Sequence, residues 1–112
     1  MTNTAAQGIG EFDIMENVNG GSQIHGTLHC GTNPGGPCDE TNGIGSTLSY
    51  SGSQGSFHTY SILVDNVAQK LTWSLDGTAY QTITPSTLGN ATWEQAVEDA
   101  KFILLNVVRS LL

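Results

Sequence analysis

An all-β fold of antiparallel strands is predicted by three features of the sequence: short stretches of alternating apolar and polar residues, turn-forming clusters between them, and a composition poor in charge and rich in glycine. The chain has 112 residues, of which 14 are glycine and only 12% are charged. That composition suits short strands and tight turns. Asp76-Gly77, between two strand-like stretches, is a strong hairpin signal. The length allows one small domain and excludes two.

The first strand is placed at residues 10–17, Gly-Glu-Phe-Asp-Ile-Met-Glu-Asn, where Glu11, Asp13 and Glu16 crowd into six residues. On a regular strand Glu11 and Asp13 share a face and Glu16 falls on the other. A β-bulge at Ile14-Met15 would absorb one position, return Glu16 to the common face and bend the strand. Residues 17–22 form a turn centred on Asn19-Gly20-Gly21. Residues 23–29 then alternate, with Gln23, His25, Thr27 and His29 on one face and Ile24, Gly26 and Leu28 on the other. Paired beside the acidic strand, that polar face extends the surface carrying the carboxylates.

Residues 37–56 have little periodicity and are expected to be a long excursion at the cleft rim or sheet edge, with nothing visibly catalytic in it. Residues 57–65, 70–76 and 80–84 read as strands. Leu71, Trp73 and Leu75 form one apolar stripe, which favours a core position for Trp73 over its alternative as a sugar-stacking platform. Thr92-Trp93-Glu94-Gln95 has the form of a capping box, so a short helix is expected with Thr92 as N-cap, Glu94 in its first turn and its end near residue 99 or 100. Residues 102–108 are apolar on both faces, the pattern of a strand buried between two layers.

Three like charges at this density repel one another, so a fold that keeps them together raises at least one pKa. Carboxyls whose pKa values are pushed apart are the equipment for cleaving a glycosidic bond. The plainer alternative is a solvated strand edge whose acids discourage aggregation; Phe12, Ile14 and Met15 within the run argue against it. With 3 basic and 10 acidic residues the net charge is −7, which disfavours nucleic acid and anionic membrane surfaces as partners. No apolar run approaches the roughly 18 residues of a membrane span, and residues 1–10 lack the basic start and apolar centre of a secretory signal. Cys30 and Cys38 bracket a loop of turn-forming residues. A disulfide is the favoured reading; a metal site needs further ligands, and the spacing of His25 and His29 matches no zinc template. A bridge implies an oxidising, extracellular setting. Asn90-Ala91-Thr92 is a glycosylation sequon.

The run Glu-x-Asp-x-x-Glu, preceded by Gly and carrying Ile-Met inside, resembles the signature of glycoside hydrolase family 16, the laminarinase and endo-β-1,3(4)-glucanase group. The similarity continues through Thr27-Leu28-His29-Cys30, residues 31–38, Phe57-His58-Thr59-Tyr60, residues 73–77 and residues 102–107. The resemblance implies a jelly-roll, concanavalin A-like sandwich, of which residues 1–112 would be one partial catalytic domain. It implies an extracellular, endo-acting, retaining hydrolase of β-1,3 or mixed β-1,3/1,4-glucan that needs no cofactor. A structural Ca²⁺ ion is compatible with it but has no place in the sequence, and no metal-binding residue is assigned. By matching position Glu11 is the nucleophile, Glu16 the acid/base and Asp13 the helper that steers protonation. His29 and Asn17 are expected near the sugar. Family domains are longer, so the chain is expected to be a fragment that is not competent alone. The rivals are a lectin-like binder without turnover and an inactive fragment.

Overall fold

The computed structural model describes residues 10–50, 55–99, 101 and 103–107. Among the described residues six strands form two antiparallel three-stranded sheets. The first contains β1 (Glu11–Glu16), β2 (Gln23–His29) and β3 (Ile44–Ser49) in that order, and the second β4 (Tyr60–Asp65), β5 (Lys70–Leu75) and β6 (Thr78–Ile83). The sheets lie against each other with β1 over β4 and β3 over β6. This is the all-β antiparallel sandwich expected from the sequence.

The core lies where the alternation places it. Ile24 and Leu28 of β2, Leu71 and Trp73 of β5, and Ile83 of β6 are all buried. Asp76 and Gly77 both take positive φ, 49° and 85°, which gives the tight β5–β6 hairpin its twist. The β4–β5 turn is held by Asp65, whose Oδ1 accepts the backbone N–H groups of Val67 and Ala68 at 3.0 and 2.9 Å.

Several expectations are corrected. The excursion at residues 37–56 contains β3, paired along its whole length with β2. Its periodicity is faint because only Ile44 and Leu48 mark the inward face, with Ser46 between them. The strand expected from residue 57 starts at Tyr60, and Phe57 is fully exposed. The helix begins two residues before the expected N-cap. It is α2 (Asn90–Val97), with Gly89 as N-cap, so Thr92 makes no cap and Glu94 lies beyond the first turn. A preceding helical turn, α1 (Pro85–Leu88), has Pro85 in the first-turn position that proline favours and ends at Gly89, whose φ of 84° separates the two helices. Trp93, Ala96 and Val97 bury the inner face of α2.

The expected strand at residues 102–108 is not formed by the residues described there. Residues 103–107 have no strand pairing, and Ile103, Leu105 and Val107 are exposed. Phe102 and Val108 lie outside the described residues, as does residue 100. A strand apolar on both faces needs ladder partners and a covering layer on each side. Among the described residues no strand pairs with this segment.

Candidate active site

The acidic strand pairs antiparallel with β2, setting Glu11 opposite His29, Phe12 opposite Leu28 and Asp13 opposite Thr27; the next partners are Glu16 and His25. The register therefore shifts between Asp13 and Glu16, with one more residue on β1 than on β2. Directly opposed residues share a face, and His29, Thr27 and His25 alternate along one face of β2. Glu11, Asp13 and Glu16 consequently share that face, while Phe12 packs against the core with Leu28.

His29 is held at both ring nitrogens. Its Nε2 lies 3.0 Å from Asp13 Oδ2, and its Nδ1 lies 2.8 and 3.1 Å from the two carboxylate oxygens of Glu40. Glu40 also accepts the backbone N–H of Cys30 at 2.9 Å, so one part-buried carboxylate fixes both the imidazole and the end of β2. Glu40 is the site residue that the sequence reading missed. It lies in a non-periodic stretch and reaches His29 because the chain turns back through the Cys30–Cys38 disulfide, Cα–Cα 5.3 Å, and the Gly35–Glu40 bridge.

The electrostatics follow from this crowding. Burial is the main reason that Asp13 is pushed up to about 7; its hydrogen bond with the Glu11 side chain and the charges of Glu16 and Glu11 add to it, and His29 opposes them. For His29, burial alone would lower the pKa. The Glu40 hydrogen bond and the charges of Asp13, Glu40 and Glu11 outweigh it and hold the imidazole above its ordinary value. Ligand atoms of Glu11, Asp13 and His29 lie within 4.8 Å of one another. That spacing would suit a small cation, but both His29 nitrogens already have carboxylate partners, so the geometry is as well explained by shared protons and no metal ligands are assigned.

The other sequence candidates fall outside this cluster. Asn17 Nδ2 donates to the carbonyls of Gly21 and Gln23, both at 2.8 Å, which commits the amide to closing the β1–β2 turn. His25 Nδ1 lies 3.0 Å from Thr47 Oγ1. Asn90 is exposed at the start of α2. Trp73 is fully buried, yet its indole N–H donates to the Asp13 carbonyl at 3.0 Å. A shallow depression of about 230 Å³ lined by Val18, Gly21, Ser22, Gln23 and His25 lies at the hairpin end of this sheet and does not reach Glu11 or Asp13.

A sheet face on which one carboxyl has its pKa pushed well up beside two others has the make-up of a glycosidase site. The comparison with solved structures leads to the same class. The chain is similar to an endo-1,3-β-glucanase from Streptomyces sioyaensis, with 44% sequence identity and a TM-score of 0.75 over 81% of this chain and 34% of that one. The two share a sandwich fold, and the resemblance to β-glucanases drawn from the acidic motif is borne out. The chain spans about a third of the neighbour's length. No protein-family model and no curated protein matches it.

Proposed function

We propose that this chain carries the acidic heart of a retaining endo-hydrolase of β-1,3 or mixed β-1,3/1,4-glucan, of the family 16 laminarinase type and extracellular in setting. The observation that carries the proposal is the register shift in β1, because it alone brings Glu11, Asp13 and Glu16 to one face. The similarity to an endo-1,3-β-glucanase supports the choice of substrate. The Cys30–Cys38 disulfide and the exposed sequon at Asn90 suit an oxidising, secreted setting.

In this reading Glu11 attacks the anomeric carbon, and Glu16 protonates the departing glycosidic oxygen and later takes a proton from water. Asp13 lies between them in sequence and, with its pKa pushed up to about 7, exchanges its proton near neutral pH, so it can pass or withhold hydrogen-bond donation as Glu16 changes state. His29, gripped by Glu40, fixes the far side of Asp13.

The test is a chimera in which this chain replaces the matching third of the Streptomyces enzyme, assayed on laminarin. Glu11→Gln and Glu16→Gln should each lower the rate by several orders of magnitude with glucan binding retained. Azide should partly restore Glu16→Ala with retained configuration and give inverted product with Glu11→Ala. The opposite pattern would exchange the two roles, and tight binding with no release of reducing sugar in the unsubstituted chimera would favour a lectin-like protein.

A further inference from the structure

A buried tryptophan needs only room and apolar neighbours, and its N–H is then either bonded or left at a cost. Trp93 illustrates the second case, since its buried Nε1 has no partner among the described residues. Trp73 illustrates the first. It stands on β5, the central strand of the second sheet, and its indole crosses the sandwich to donate to the Asp13 carbonyl in the first. That carbonyl belongs to the last residue paired in regular register before the shift in β1.

The seat for the indole is made by Gly26. On β2, Gly26 lies between Thr27, the partner of Asp13, and His25, the partner of Glu16, so it is the single residue facing the two of the bulge. A Cβ there would come within 2.5 Å of Trp73 Cδ1, 2.9 Å of Nε1 and 2.6 Å of the Tyr80 hydroxyl. Tyr80 is itself the extra residue of a second register shift, in β6, where Trp73 pairs with Gln81 but Ser74 with Ala79. Trp73 therefore sits against both irregularities of the sandwich, one in each sheet.

We propose that Trp73 is a positioning residue for the acidic strand: seated on Gly26, its indole N–H holds the Asp13 carbonyl at the bulge and fixes where Glu11, Asp13 and Glu16 stand. The assignment rests on the reading of those three as the working carboxylates. A bulge interrupts the ladder, and a donor supplied from the facing sheet ties down the strand where the ladder cannot.

The experiment is a ¹³C-carboxyl NMR titration of Asp13 in the 112-residue chain. One variant carries 3-benzothienylalanine at position 73, which keeps the ring shape and loses only the N–H; another is Gly26→Ala, which fills the seat; Leu71→Ala serves as a buried control on the same strand. The first two should move the Asp13 midpoint down by about one pH unit, a tenfold change in proton affinity, as the freed strand lets the carboxyl out of its buried position and loosens its contact with Glu11. Leu71→Ala should lower the melting temperature without moving that midpoint. An unmoved midpoint in the benzothienyl variant, or an equal movement in Leu71→Ala, overturns the proposal. The readout needs no turnover, so a failure of the glucanase reading in the chimera and a failure of this one are separate results.

Discussion

Two aspartates of this chain each face a histidine, and their carboxyls move in opposite directions. Asp13 lies 3.0 Å from His29, with 16% of its side chain exposed, and is pushed up to about 7. Asp76 lies 2.8 Å from His58, with 51% exposed, and is held below its ordinary value. The histidine does not decide the outcome. At Asp76 the backbone N–H of Thr59, 2.8 Å away, contributes most and His58 adds to it, so the ionised form is favoured on two sides. At Asp13 burial comes first, then Glu11 and Glu16, and together they exceed what His29 offers. A carboxylate given donors becomes a brace between the start of β4 and the β5–β6 hairpin, whereas a carboxyl buried and then crowded by acids becomes a proton holder.

The largest expected effect tests whether that difference is functional. In the chimera, Asp13→Asn should lower laminarin hydrolysis about 10²–10⁴-fold, the range for a group that manages proton transfer. Asp76→Asn should leave the rate within about twofold, since its partners Thr59 and His58 lie outside the acidic cluster. Equal losses would mean that the two aspartates play one kind of role.

Stability against pH should separate them next. The folded pKa of Asp13, about 7, lies above its ordinary 3.8, so its contribution is fully present below pH 3.8 and is lost as pH rises through about 7. Asp76 has a lowered folded pKa, so its contribution is present above pH 3.8 and is lost as pH falls through the lowered value. Urea unfolding of the chain at a series of pH values should therefore show Asp13→Asn removing a decline between about pH 4 and 7, and Asp76→Asn removing one below pH 4. The same slope in the unsubstituted chain and Asp13→Asn would contradict the first half.

Smaller shifts sharpen the comparison from the histidine side. Glu40→Gln keeps a hydrogen-bonding carbonyl but removes the charge, so the His29 midpoint, followed by its ring-proton NMR shift, should fall toward the ordinary 6.5. His58→Phe should have the least effect. It should raise the Asp76 midpoint only partway to 3.8, because the stronger Thr59 N–H remains.

Much of this was legible in the sequence, and the rest was hidden for identifiable reasons. The shared face of the carboxylates followed from parity alone, since Glu16 lies an odd number of residues beyond Asp13 and one extra position corrects it. The alternation in residues 23–29 and the Asp76-Gly77 turn fixed β2 and the β5–β6 hairpin because their patterns depend only on local geometry. Glu40 was invisible because its partner His29 is reached by a loop that turns back through a disulfide, a relation that leaves no period. The start of α2 was misplaced because Gly89, by its positive φ, ends one helical turn and opens the next, and this backbone signal prevailed over the side-chain pattern at Thr92. The role of Trp73 was half legible. Its apolar stripe gave its burial, but the destination of its N–H depends on the facing sheet.

Gly10 adds a consequence for anyone who would transplant this strand. It is buried at the head of β1, and a Cβ there would collide with the Ala96 carbonyl of α2, so the backbones of strand and helix touch with no side chain between them. The helix thus acts as an end-stop for the acidic strand, and its seating sets the position from which Glu11 is measured. Six residues copied into another sandwich would carry the carboxylates but not their datum; α2 and the glycine between must travel with the strand, along with Trp73, whose indole holds it at the bulge.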